Sequence, residues 1–233
     1  MTLPLVFLPG MMCDERLFRH QINAFQNERA CEVHQFGRVD NSIEAMAKRI
    51  LDNTPACFAL VGLSMGGIVA MEMMRQQPKR IERVALLDTN PKGEAEKVKV
   101  RRNLQIEQAR TGGMIGIMRR ELMPYYLSDA CEKDALLELC TKMAMAQGED
   151  VFIHQSEALR DRKDQCATLQ AFEGKALVLC GREDRMCPVE RHELMAGLLA
   201  NATLEIIEDA GHLPTLEKPE ITTNALRHWI EAP

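Results

Sequence analysis

One serine sits between two glycines in Gly62-Leu-Ser64-Met-Gly66. A hydroxyl is a weak nucleophile at neutral pH, so a serine that attacks a carbonyl needs a base for its proton and a carboxylate to steady that base. Histidine suits the role because its reference pKa near 6.5 lets it take the proton and return it. Of the six histidines, His20, His192 and His228 fall in helical patterns, His34 in a strand-like run and His154 in a charged helical tract. His212 alone follows a glycine, Gly211, in a loop after an apolar run. Two carboxylates end apolar runs in the same way: Asp184, in Gly181-Arg-Glu-Asp184, is the first candidate to hold the imidazole, and Asp88 is its competitor. These types and spacings describe acyl transfer through an activated serine.

A bare Gly-x-Ser-x-Gly is also an ordinary glycine-rich turn, so its flanks decide. Phe58 to Val61 form a short apolar run of strand length, and Ile68 to Met74 are apolar on nearly every face and stop at Pro78. That switch predicts a buried strand turning at Ser64 into a buried helix, the context the chemistry requires. A serine on so tight a turn takes φ > 0 and crowds the residues two before and two after it, where glycine removes the side chains. The unpaired N–H groups opening the helix favour an oxyanion beside the serine.

The rest of the chain repeats the strand-turn-helix theme. Leu5 to Leu8, Cys31 to Phe36, Val84 to Leu87, Ala176 to Cys180 and Thr203 to Ile207 read as further strands. Helices are predicted from Asp14 to about Asn27, after Ser42, from Val189 to Leu199, and from Pro219 with Ile221, Ala225, Leu226, Trp229 and Ile230 on its core face. Alternation of this kind implies a mostly parallel sheet covered on both faces, with sites at the carboxyl ends of its strands. Ser64, Asp88, Asp184 and His212 each follow a predicted strand, so one edge could gather them. Residues 91–165 lose the strand signal and become charged, methionine-rich and helical, with Gly112-Gly113 as a joint. They are expected to form a helical cap inserted into a core of residues 1–90 and 166–233. The cluster Met114, Ile115, Ile117, Met118, Leu122 and Met123 has two readings: it faces an apolar pocket, or it packs the cap on itself as methionine stripes usually do.

Composition excludes several classes. The net charge of −5 without a long basic run argues against a nucleic-acid partner or a membrane surface, and favours a small neutral or weakly charged ligand. The eight cysteines, Cys131 among them, include no C-x-x-C pair and read as reduced thiols of a cytoplasmic protein, with neither a disulfide scaffold nor a zinc site. The apolar start, Met1 to Gly10, lacks a basic flank and contains two prolines, and so reads as neither signal peptide nor membrane span. Nothing in the pattern fixes the oligomeric state.

Taken together, Gly62-Leu-Ser64-Met-Gly66-Gly67, Gly181-Arg-Glu-Asp184 with Pro188, and Gly211-His212 resemble the α/β-hydrolase superfamily in its serine, acid, histidine chain order. The likeness runs from Leu5 to Ile230 and leaves only the cap unidentified. It implies Ser64 as nucleophile, His212 as base and Asp184 as its partner, with the backbone N–H groups of Met11 and Met65 as an oxyanion hole. No cofactor or metal is implied. Pro9 stands where many members have histidine, which changes the support of that loop but not its N–H donor. The chain begins at what would be the first central strand of larger members, so the expected sheet is six-stranded and wholly parallel. The implied activity is hydrolysis of an ester, thioester or lactone with an apolar acyl part through an acyl-serine. The same superfamily includes carbon–carbon bond hydrolases, lyases and ligand receptors.

Overall fold

A computed structural model describes residues 2–130 and 132–232; Cys131, counted above among the reduced thiols, lies outside them. Six strands form a single parallel sheet: β1 (Leu5–Leu8), β2 (Cys31–Val33), β3 (Phe58–Leu63), β4 (Ile81–Leu87), β5 (Lys175–Gly181) and β6 (Ala202–Ile207), in the order β2-β1-β3-β4-β5-β6. The chain steps outward from β1 to β2, then returns to place β3 on the other side of β1. A reversal of this kind opens a crevice at the carboxyl ends of β1 and β3, where parallel sheets bind their ligands.

The sheet is central because its strands are apolar on both faces, as parallel strands with helical crossovers must be. All of β1 and β3 is buried. Alternate residues divide between two cores. Leu5, Phe7, Val61, Leu87 and Leu179 pack with Phe18, Phe25, Leu226 and Trp229, from the layer of α1 (Arg19–Phe25) and α11 (Pro219–Glu231). Val6, Leu8, Leu60, Leu86 and Val178 pack with α2 (Ile43–Leu51), α3 (Met65–Gln76) and α9 (Val189–Leu198) on the other face. Ser42 starts α2 by accepting from the Ala45 N–H, as its position predicts.

Between β4 and β5 run α4 (Glu96–Ala109), α5 (Met114–Ile117), α6 (Lys133–Gln147), α7 (Glu149–Asp161) and α8 (Cys166–Gln170). Gly112, at φ +86°, sits between α4 and α5. Met114, Ile117, Met118 and Met123 are buried with Cys140, Met143 and Phe152 in a cluster continuous with the α1/α11 core. Of the two readings of the methionine cluster the structure takes the packing one: only Leu122 of that group lines the cavity over Ser64, and the methionines fill the irregular gaps between short helices. The departures from expectation are local. β2 stops at Val33 rather than Phe36, and the Asp14 helix opens with a 3₁₀ turn, Glu15–Phe18. Ile221 is 54% exposed, and Thr222 takes the buried place beside Leu226. Among the described residues no helix is long and apolar enough to cross a membrane.

Candidate active site

Ser64 is the hinge between β3 and α3, with φ 54° and ψ −117°. The flanking glycines answer to different neighbours. A Cβ on Gly62 would lie 2.5 Å from the carbonyl oxygen of Gly66, the crowding expected within the turn. A Cβ on Gly66 would lie 2.0 Å from the carbonyl oxygen of Leu8, so this glycine lets the elbow rest against the end of β1. The Ser64 N–H donates to Leu87 O at 2.9 Å, and Thr89 Oγ1 donates to Ser64 O at 2.7 Å. Both bonds tie the elbow to the end of β4 and the residues after it.

Three residues distant in sequence meet above this elbow. His212 Nε2 lies 2.9 Å from Ser64 Oγ, and His212 Nδ1 lies 2.8 Å from Asp184 Oδ2. With Nδ1–H donating to the carboxylate, the Nε2 lone pair faces the serine hydroxyl, the tautomer a general base requires. Asp184 and His212 are both buried. Burial disfavours the Asp184 anion, but the adjacent His212 and the N–H groups of Cys187 and Met186 outweigh it and hold the carboxyl below its usual range.

Asp88, the competing acid, stands behind this pair. It is fully buried and its Oδ1 accepts the Gly181 N–H at 3.0 Å. Burial first, and then the negative charge of Asp184, push its carboxyl well above the ordinary range. Its protonated form is favoured, and the carboxyl braces the start of the loop after β5.

Two further residues hold the site, and the motif reading does not reach them. Glu217, at the end of α10 (Pro214–Glu217), folds back to accept the N–H groups of Gly211 at 3.0 Å, Leu213 at 3.1 Å and Ser128 at 2.7 Å. It thus clamps both sides of His212 and joins them to the helical stretch, while the His212 N–H itself donates to Tyr126 O at 2.8 Å. The sequence signal was a carboxylate one helical turn into a Pro-initiated helix, placed to reach back to the N-terminal N–H groups. His192 is wholly buried, and its Nε2 accepts the Thr89 N–H at 3.0 Å. Burial lowers its pKa to about 4, so it is a neutral acceptor. Its helical setting masked that role.

A cavity of about 310 Å³ opens over Ser64 and His212. Met11, Leu63, Met65, Ile68, Leu122 and Tyr126 give it apolar walls. Met11 and Met65, the expected oxyanion donors, both line it, and among the described residues neither backbone N–H is engaged by another backbone group. Asp184, Cys187 and His212 have ligand atoms within 4.8 Å of one another, the only such metal-capable trio among the described residues. Two of them are already bonded to each other, and burial raises the Cys187 thiol, so the trio is poorly suited to a metal ion.

Comparison with known proteins converges on one family. The profile described as "Alpha/beta hydrolase family" matches residues 5–225. The chain is 26% identical over 198 residues to a pimeloyl-[acyl-carrier protein] methyl ester esterase of Aromatoleum aromaticum, covering 77% of this chain and 76% of that protein. It is 23% identical over 260 residues to the biotin biosynthesis bifunctional protein BioHC of Teredinibacter turnerae, covering 97% of this chain but only 44% of that protein. Among solved structures, a thermophilic esterase from Thermogutta terrifontis superposes with TM-score 0.90 at 27% identity, covering 99% of this chain and 90% of that one.

Proposed function

The chain belongs to the alpha/beta hydrolase family, and on that premise we propose that it is a serine hydrolase cleaving a small to medium carboxylic ester, thioester or lactone. The observation that carries this reading is the continuous line from Ser64 Oγ to His212 Nε2, at 2.9 Å, and from His212 Nδ1 to Asp184 Oδ2, at 2.8 Å, at the floor of a cavity. Ester hydrolysis is supported by the pimeloyl-[acyl-carrier protein] methyl ester esterase and the thermophilic esterase that the chain resembles.

In this mechanism Ser64 Oγ attacks the carbonyl carbon as His212 Nε2 takes its proton. The oxygen of the tetrahedral intermediate gathers negative charge and is bound by the Met11 and Met65 N–H groups. Asp184 stays ionised and stabilises the imidazolium. His212 then protonates the departing alkoxide or thiolate, leaving an acyl group on Ser64. Water, deprotonated by the same imidazole, attacks that ester, releases the acid and restores the serine. Residues 91–165 act as a cap whose Leu122 and Tyr126 shelter the acyl part from solvent. The free thiols among the described residues support a reducing, cytoplasmic setting.

Ser64→Ala tests the reading directly. Turnover of p-nitrophenyl butyrate is expected to fall by about 10⁴-fold or more, and a fluorophosphonate should label Ser64 in the parent protein alone. Turnover within tenfold of the parent would remove Ser64 from the chemistry.

A further inference from the structure

Charge around the catalytic cavity is one-sided. The chain carries a net charge of −5, yet five arginines line this cavity against two glutamates, Glu94 and Glu121. Both glutamates are already engaged. Glu94 bonds Arg162 at 2.6 Å and Arg102 at 3.1 Å, and Glu121 accepts from Gln105 at 2.9 Å. Burial opposes ionisation of Glu94, but the two guanidinium groups hold its carboxyl below the usual range, so this trio is internally satisfied.

Three cationic groups are left over. Among the described residues Arg101, Arg185 and Arg191 have no ion pair with any carboxylate. Arg185 is held in place, one nitrogen donating to Pro124 O at 2.6 Å and the guanidinium lying over the Tyr125 ring at 5.6 Å. Arg191 stands half-buried in the first turn of α9. Like charges lining one cavity, here from α4, the loop after β5 and α9, repel each other and focus a positive potential into the cleft. The planar fork of each guanidinium matches the two oxygens of a carboxylate or the face of a phosphate.

We propose that the cavity mouth is an anion subsite: the substrate is an ester that carries, away from the scissile bond, a carboxylate or phosphate bound by Arg101, Arg185 and Arg191. The inference rests on the reading of Ser64 as the nucleophile beneath. It also narrows the expectation of a neutral or weakly charged ligand. The apolar walls accept the chain next to the scissile carbonyl, and the arginines accept a charged far end.

Matched ester pairs test it. Monomethyl adipate is compared with methyl hexanoate, placing the charge on the acyl side. On the alcohol side, 4-acetoxybutanoate and 4-acetoxybutyl phosphate are each compared with butyl acetate. At least one charged ester should exceed its neutral partner about tenfold in kcat/KM through a lower KM. That ratio should collapse towards one in about 0.5 M NaCl and in the Arg101→Gln, Arg191→Gln double variant. The arm that responds identifies where the anion sits. If Ser64-dependent turnover is seen and every neutral ester is preferred, the subsite is overturned while the hydrolase reading stands. If no ester is turned over, the readout becomes thermal stabilisation by adipate. Stabilisation lost in the double variant supports the subsite although the hydrolase reading has failed, and no stabilisation of the parent overturns the subsite.

Discussion

The carboxyl edge of the sheet and the helical stretch between β4 and β5 both border the cavity, but different bonds hold them. At the edge, successive strand ends are tied through main-chain atoms: Ser64 N–H to Leu87 O, Asp88 N–H to Leu179 O, and Arg182 N–H to Ile207 O. The helical stretch shares a main-chain tie with the edge, His212 N–H to Tyr126 O, but side chains make several of the others. Gln155 accepts the Met12 N–H and donates to Phe36 O, Gln147 donates to Cys13 O, and Glu94 bridges Arg102 and Arg162. The edge therefore depends on strand register, and the position of the stretch on the identity of particular glutamines and arginines. The proposed triad sits on the first kind of support, and the Leu122 and Tyr126 walls of the cavity sit on the second.

The contrast is sharpest where two acids share one edge. Asp184 has its carboxyl held below the usual range and touches His212; Asp88 has its carboxyl pushed above it and touches the backbone of Gly181. Asp184→Asn is expected to lower kcat by about 10³- to 10⁴-fold, because an amide no longer fixes the imidazole tautomer or its charge. Asp88→Asn keeps an acceptor for the Gly181 N–H and should cost less than about tenfold. Esterase assays on both variants decide the matter, and equal losses would abolish the distinction between the two acids.

This division also explains what could be read from the sequence. Strands announce themselves as apolar runs, and strand ends carry the candidate groups, so β1 and β3 through β6 were legible, as was the meeting of Ser64, Asp184 and His212. The bounds of β2 were not, because the alternating, half-exposed run after Cys31 continues beyond its last ladder bond. Glu217 and His192 escaped because their partners are main-chain N–H groups, which any residue but proline can supply; only the place of Glu217 in a Pro-initiated helix hinted at its role. The methionine cluster stayed open between pocket and core because one apolar stretch can face a pocket or a neighbouring helix with equal periodicity. Its contacts with Cys140, Met143 and Phe152 depend on α6 and α7, whose docking no local pattern records.

Glu217 is where the two regions meet, and replacing it should show whether the helical stretch reaches the chemistry at all. Glu217→Gln keeps the shape but turns an amide NH₂ towards N–H donors, loosening the loop on either side of His212. The expected result is a fall in kcat of about 10- to 100-fold, with far-UV circular dichroism retained and KM within a few-fold of the parent. A variant with a lowered Tm but unaltered kcat below that temperature would reduce Glu217 to a structural brace.

The smallest expected effect separates two buried groups behind the edge by the sign of their proton linkage. His192 has a folded pKa of about 4 against an unfolded value near 6.5, so its contribution is complete above the unfolded value and declines as pH falls towards 4. Asp88, with a raised folded pKa, works the other way: the unfolded chain loses its proton first, so its contribution declines as pH rises above about 4. Asp184, lowered in the folded state, acts only in stronger acid, below about pH 4. Between pH 7 and 5.5 the His192 contribution should fall by about 1 kcal/mol, or about 2–4 °C in Tm, and Asp88 opposes that fall in the parent. His192→Gln removes the first slope and Asp88→Asn the second. On acidification His192→Gln should therefore lose less Tm than the parent, or gain, while Asp88→Asn should lose more. Identical shifts in all three proteins would mean that neither group titrates differently in the folded and unfolded chains, and would overturn the reading of His192 as an acceptor of the Thr89 N–H.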